Sequence, residues 1–206
     1  MSQPFDSNYQ LPALRDIDEQ RGEFWVSNPF LFSNTNENLS AYERNGFHLN
    51  VGEGKFVDAS FLSGADSTGD GRSVVACDLT GDGMQELIVR QVGGGSLIIY
   101  ENRFPKSSWL KVSLEGTDSN RKGIGSKLEC TTKGLVVRRE LYPLINFHGQ
   151  YPASVHFGLG EAEKVEQLKI QWPSGKVQVL RDLPANCHIV VRESDSDNGY
   201  RVVGAR

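Results

Sequence analysis

The chain has 206 residues, with 22 Lys or Arg against 26 Asp or Glu, a formal net charge of −4. That balance argues against a nucleic-acid binder held by a basic face, and 38% hydrophobic, 23% charged and 9% aromatic residues describe a globular protein rather than a disordered chain or a fibre. No run approaches the ~18 apolar residues of a membrane span, and residues 1–6 lack the charged and apolar regions of a secretory signal, so the given chain reads as soluble, with no membrane span and no signal peptide.

Residues 1–50 mix aromatics with Asn, Ser and Pro, as in Phe24-Trp25-Val26 and Pro29-Phe30-Leu31-Phe32, which predicts loops and short strands laid over a first core. From Phe47 the pattern turns to strand, turn, strand. His48-Leu49-Asn50 leads into Gly52-Glu53-Gly54-Lys55-Phe56-Val57, residues 72–77 alternate, and an acidic loop ends in Leu87-Ile88-Val89. Gly93-Gly94-Gly95 then turns the chain into Leu97-Ile98-Ile99-Tyr100, completing an antiparallel meander of the kind from which propeller blades are made.

The second half alternates more cleanly. Leu110-Lys111-Val112-Ser113-Leu114 and Leu168-Lys169-Ile170-Gln171-Trp172 each put apolar side chains on one face and polar ones on the other. Lys133-Gly134 separates a strand at 127–132 from one at 135–140. Pro173-Ser174-Gly175 joins the Trp172 strand to Val177-Gln178-Val179-Leu180, and residues 188–192 form a last strand before a polar segment that reads as a frayed tail. The expected class is mainly β, a partial propeller-like meander followed by a β-sandwich. Charge marks a division: residues 1–105 hold 7 basic and 15 acidic residues and 106–206 hold 15 and 11, or −8 and +4. The break is placed near Pro105, giving domains at 1–105 and 106–193 and a flexible tail at 194–206. Cys77, Cys130 and Cys187 match no zinc spacing, and their odd number makes no closed disulfide framework, so they read as small buried strand residues.

Asp78-Leu79-Thr80-Gly81-Asp82-Gly83-Met84-Gln85-Glu86 is the one segment with metal-ligand spacing. Ca²⁺ takes six to eight oxygens, and side chains at loop positions one, three and five, a turn glycine at six, a carbonyl at seven and a carboxylate at nine converge on one point. Asp78, Thr80, Asp82, the Met84 carbonyl and Glu86 fill those places; Val89 at the twelfth excludes an EF-hand. The alternative is an Asx-rich turn whose carboxylates accept backbone N–H groups without a metal. Upstream, Asp66-Ser67-Thr68-Gly69-Asp70-Gly71-Arg72 shares the first six positions but has Val74 at the ninth, and is read as a polar turn.

The 78–86 loop resembles the cation loop of FG-GAP (VCBS) repeats, from which Thr80 and Glu86 depart. Residues 109–193 resemble the ASPIC/UnbV domain of the cartilage acidic protein family, through Trp109-Leu110-Lys111-Val112-Ser113-Leu114-Glu115-Gly116, Ser119-Asn120-Arg121-Lys122-Gly123-Ile124-Gly125-Ser126, Arg139-Glu140, His156-Phe157-Gly158-Leu159-Gly160, Trp172-Pro173-Ser174-Gly175-Lys176 and Ala185-Asn186. Asn146-Phe147-His148-Gly149-Gln150 departs from the family's Gly-Tyr-x-Ser-Gln. The resemblance implies a domain that follows a propeller, in proteins that are secreted or on the cell surface; a trimmed N-terminus would reconcile that setting with the missing signal. Residues 1–105 hold one or two blades, fewer than the ~4 a closed propeller needs.

Of the motif residues, Asn120, Gly123 and Gly125 suit a tight strand connection, Arg121 could reach Glu140 or bind an anion, and His156 reads as a hydrogen-bonded core residue. The four histidines, His48, His148, His156 and His188, form no paired motif with a nucleophile, so the chain is expected not to be an enzyme. The leading expectation is a non-catalytic, extracellular or cell-surface binding or scaffolding module with a calcium-stabilised loop, engaging a protein or glycan. The alternative is an assembly subunit whose incomplete meander pairs with another chain; a hydrolase with a site between the domains is third.

Overall fold

The computed structural model describes residues 44–69, 71–91, 96–143, 146–147, 149–197 and 199–205. The expectations placed on residues 1–43, Asp70, Gly93-Gly94-Gly95 and His148 lie outside them. The described residues are mainly β. Their contacts group into two units, Met1–Val74 with Val89–Ile98, and Val75–Ile88 with Ile99–Arg206, so the acidic loop groups with the second half of the chain.

In the first unit, β1 (His48–Gly52) and β2 (Lys55–Asp58) form an antiparallel hairpin, followed by a single helical turn, α1 (Ser60–Ser63). Asp58 sets that turn by accepting from the Ser60 N–H at 2.9 Å and the Ser60 hydroxyl at 2.5 Å. None of the helical residues is buried. The strands β3 (Gly71–Cys77), β4 (Glu86–Gln91) and β5 (Ile98–Tyr100) form a three-stranded sheet in chain order, as a meander requires.

The second unit contains two four-stranded sheets. One has the order β11 (Val177–Pro184), β10 (Lys164–Gln171), β7 (Lys127–Thr132), β8 (Leu135–Glu140), all antiparallel. The other has the order β13 (Arg201–Ala205), β12 (Cys187–Arg192), β6 (Ser108–Glu115), β9 (Ser154–Gly160), with β12 and β6 parallel. Alternation explains the core between them. Leu110, Val112 and Leu114 of β6 are buried while Lys111, Ser113 and Glu115 take the other face; Leu168 and Ile170 of β10 do the same from the opposite sheet. Phe157, Leu128, Leu180, Ile189 and Trp172 join one continuous core, each fully buried Leu or Ile contributing ~1.5–3 kcal/mol against the entropy of ordering the chain.

Residues 194–206, expected to be a flexible tail, contain the edge strand β13. Val202 faces Ile189 in register, and the Arg201 guanidinium reaches Glu115 Oε1 at 2.7 Å. The turn signals of Ser194-Asp195-Ser196-Asp197 precede it, but β-branched Val202-Val203 beside a buried β12 completes the ladder. Cys130 and Cys187 are buried strand residues, and Cys77 is half-buried at the end of β3; all three are free thiols. Burial pushes the Cys130 thiol up to about 11.

Candidate functional site

The 78–86 loop connects β3 to β4 and is closed by its own carboxylates. Asp78 Oδ1 accepts from the Gly81 N–H at 2.6 Å and the Asp82 N–H at 3.0 Å, and Oδ2 accepts from Gly83 at 2.9 Å. Asp82 Oδ1 accepts from Met84 N–H at 3.0 Å, and Asp82 Oδ2 lies 3.8 Å from Lys106 Nζ. Glu86, 3% exposed, accepts the Leu79 N–H at 2.7 Å. Thr80 is exposed and Met84 half-buried. These are the carboxylate-to-backbone bonds of an Asx-rich turn. Among the described residues no three His, Cys, Asp or Glu side chains come together as metal ligands.

Gly83 anchors this loop. Its φ of 85° is left-handed, a Cβ would run into the Trp109 indole, and its carbonyl accepts the His156 Nε2–H at 2.9 Å. Since a carbonyl only accepts, the neutral imidazole carries its proton on Nε2. His156 stacks on Trp109 with centroids 6.0 Å apart, and burial lowers its pKa below 6.5, holding it neutral. His188 Nε2 lies 2.9 Å from Ser113 Oγ.

A second polar cluster, not anticipated as a unit, closes one end of the sandwich. Glu193 is 1% exposed; its Oε2 accepts from the N–H groups of Thr117 (2.8 Å), Asp118 (2.9 Å) and Ser119 (2.7 Å), and its Oε1 from the hydroxyls of Ser119 (2.8 Å) and Ser174 (2.5 Å). Burial alone would raise its pKa. The hydrogen bonds from Ser174, Ser119 and Thr117 outweigh that and bring it down to about 2. Beside it Lys176 Nζ donates to the Glu193 carbonyl and, at 3.2 Å, to that of Asp195. Buried Gln178 accepts from Trp172 Nε1 at 2.5 Å and donates to the carbonyls of Arg192 (3.2 Å) and Asp195 (2.8 Å).

Sequence residues 119, 172, 174 and 176 thus meet around one carboxylate and one amide. Residues 116–198 match the family model described as ASPIC and UnbV. The match spans the strands from β7 to β12 and both polar partners, Gln178 and Glu193. No curated protein matches the chain. Within the ASPIC/UnbV-like region, Asn120 closes its turn as expected, donating to Ile124 O at 2.7 Å and accepting from Ile124 N–H at 2.9 Å. Gly123 (φ 64°) and Gly125 (φ 93°) are left-handed, and a Cβ on Gly123 would lie 2.8 Å from Leu114 Cβ. The Arg121 side chain makes no hydrogen bond or ion pair among the described residues, with Glu140 or any other group. Asn186 (φ 57°) exchanges two bonds with the Trp109 backbone, accepting its N–H at 3.2 Å and donating to its carbonyl at 2.7 Å.

Proposed function

We propose that the chain is a non-catalytic binding or scaffolding module of an extracellular or cell-surface protein, in which the ASPIC/UnbV-like sandwich is the rigid body and an FG-GAP-like meander over residues 1–105 presents a surface to a protein partner. The observation that carries this reading is an exposed apolar set within residues 51–62: Val51 at 53%, Phe56 at 62%, Phe61 at 83% and Leu62 at 86%. Single exposed apolar side chains are ordinary, but such a group in one short segment marks an interaction surface. A non-catalytic role is supported by the engagement of His156 and His188 in structural hydrogen bonds. The test is capture by the immobilised chain of proteins and glycans from its own source, against a Phe61→Ser/Leu62→Ser variant. Capture of a protein lost in the variant supports the reading; capture of glycans alone, or capture unchanged by the variant, overturns it.

Assembly with a second copy is the other reading, favoured by the three-stranded sheet whose outer strands β3 and β5 each have one neighbour among the described residues. A mass that rises with concentration supports it. Calcium belongs to this proposal as added rigidity at Asp78, Thr80, Asp82, Met84 and Glu86, favoured by their spacing; it would need these oxygens to turn toward one point. Among the described residues no helix is long and apolar enough to cross a membrane.

A further inference from the structure

The outward face of the sheet β13-β12-β6-β9 holds a cation that forms no ion pair among the described residues. Lys111 on β6 stands in register between His188 on β12 and His156 on β9 and is half-buried, and its ammonium makes no hydrogen bond or ion pair among the described residues. It lines a cleft of about 260 Å³ in the second unit, together with Arg139, Tyr142, Tyr151, Pro152 and Ser154. The Arg139 guanidinium gives one N–H to the Arg138 carbonyl at 3.0 Å and meets no carboxylate among the described residues. Nor do the hydroxyls of Tyr142, Tyr151 and Ser154 find a partner there. The far wall is tied in place by the Tyr151 N–H on the Pro143 carbonyl at 2.9 Å.

The acids in the lining do not answer these donors. Both oxygens of Asp78 already accept from the three N–H groups of its loop, and Glu140 is exposed on the rim. His156 contributes an uncharged ring whose Nε2–H is committed to Gly83. What remains is a set of unmatched donors, one ammonium and one planar fork, set among aromatic and proline surfaces.

We propose that this cleft binds a small organic carboxylate, its oxygens held by Lys111 and Arg139 and its body lying against Tyr142, Tyr151 and Pro152. A carboxylate matches the guanidinium fork and carries one charge, whereas a phosphate dianion would meet the repulsion of Asp78 and Glu140 and leave the apolar walls unused. The volume is below the ~300–1,000 Å³ of pockets for drug-sized ligands, which limits the occupant to a compact acid. A flat aromatic acid and a sugar acid share this chemistry.

The experiment is an amide NMR titration of the whole chain with benzoate and with glucuronate, against benzamide, glucose and inorganic phosphate at matched ionic strength. Expected are saturable shifts at Lys111, Tyr151, Ser154 and His156 with at least one acid, weakened about tenfold or more in Lys111→Met and in Arg139→Gln, and restored in Lys111→Arg. Dispersion of the variant spectra shows that they are folded, and Arg139 is exposed enough to change without cost to the core. Benzoate pointing to an aromatic acid or glucuronate to a sugar acid each supports the proposal. Equal binding of the neutral compounds, binding unchanged in both variants, saturation by phosphate but neither acid, or no saturable shift up to about 10 mM acid overturns it.

Discussion

Replacing Glu193 with Gln exchanges one carboxylate oxygen for an NH₂ group in a site where five donors converge, three of them backbone N–H groups that cannot accept. With the NH₂ toward the loop the three N–H bonds are lost; turned the other way, the hydroxyls of Ser119 and Ser174 must reverse to accept from it, and either arrangement gives up the charge-assisted bonds of the carboxylate. A fall in pKa from 4.5 to about 2 corresponds to about 3 kcal/mol, at ~1.4 kcal/mol for each tenfold change. Water beside the 117–119 loop screens part of this, so about 2 kcal/mol is the working figure. Because the folded value lies below the unfolded one, the contribution is complete above pH 4.5 and is lost as pH falls from 4.5 through about 2. Calorimetric melts of wild type and variant from pH 7 to pH 2 read it directly. A loss of about 2 kcal/mol lowers the melting temperature by roughly 4–8 °C at pH 7, and the gap should close on acidification. Other carboxylates titrate in both proteins and cancel in the difference. A variant within about 1 °C of wild type at pH 7, or a gap that does not vary with pH, would refute the reasoning.

Asp78→Ala leaves three loop N–H groups without their acceptor and should cost about 1–3 kcal/mol in a chemical denaturation series, whereas EDTA should not move the wild-type melt if the loop closes on its own bonds. A calcium-dependent rise that Asp82→Ala abolishes, about 2.7 kcal/mol at 100 times the dissociation constant, would establish the calcium form instead. Gly83→Ala combines a left-handed φ of 85° with a clash on Trp109 and should cost about 3–5 kcal/mol by urea unfolding; a near-neutral result would mean the loop can lift away from the indole. His156, buried and held neutral, should favour the folded state fully above pH 6.5 and lose that advantage as pH falls toward its lower folded value. The stability gap to His156→Gln should narrow over that range, and an imidazole titrating at 6.5 or above by NMR would contradict it.

Much of the sandwich was legible because its strands have one wet face. Leu110-Lys111-Val112-Ser113-Leu114 falls within β6, and Lys133-Gly134, with φ of 41° and 77°, forms the turn that fixes both β7 and β8 at their expected limits. β9 was harder, since Gly158 and Gly160 break its composition while the flanking β6 supplies the pairing that composition lacks. The site was readable only where its partners are local. Asp78 and its N–H donors lie within five residues, and the Asx-rich turn was among the alternatives the spacing allowed. Glu193 draws four of its five donors from 74 to 76 residues away, a distance at which no periodicity signals a burial. Lys111 looked like any lysine on a wet strand face until the register set it between two histidines.

Of the residues that carry the ASPIC/UnbV likeness, those around Glu193 and those that line the cleft do different work. Ser119, Trp172, Ser174 and Lys176 hold Glu193 and Gln178 and so tie three chain segments at the sandwich end; they determine whether the fold closes. Lys111 lies before the residues that the family model matches, and among the described residues no hydrogen bond joins the tyrosines of the cleft to the clamp, so the clamp conveys architecture without conveying a ligand. If that separation is physical, the two sites are energetically independent. Lys111→Met should leave the pH-dependent stability contributed by Glu193 intact, and Glu193→Gln should leave the benzoate or glucuronate shifts in place, each within ~0.5 kcal/mol in a double-mutant cycle. A coupling of 1 kcal/mol or more on that scale would mean that the clamp positions the cleft, and that Glu193 and its partners bear on ligand binding as well as on the fold.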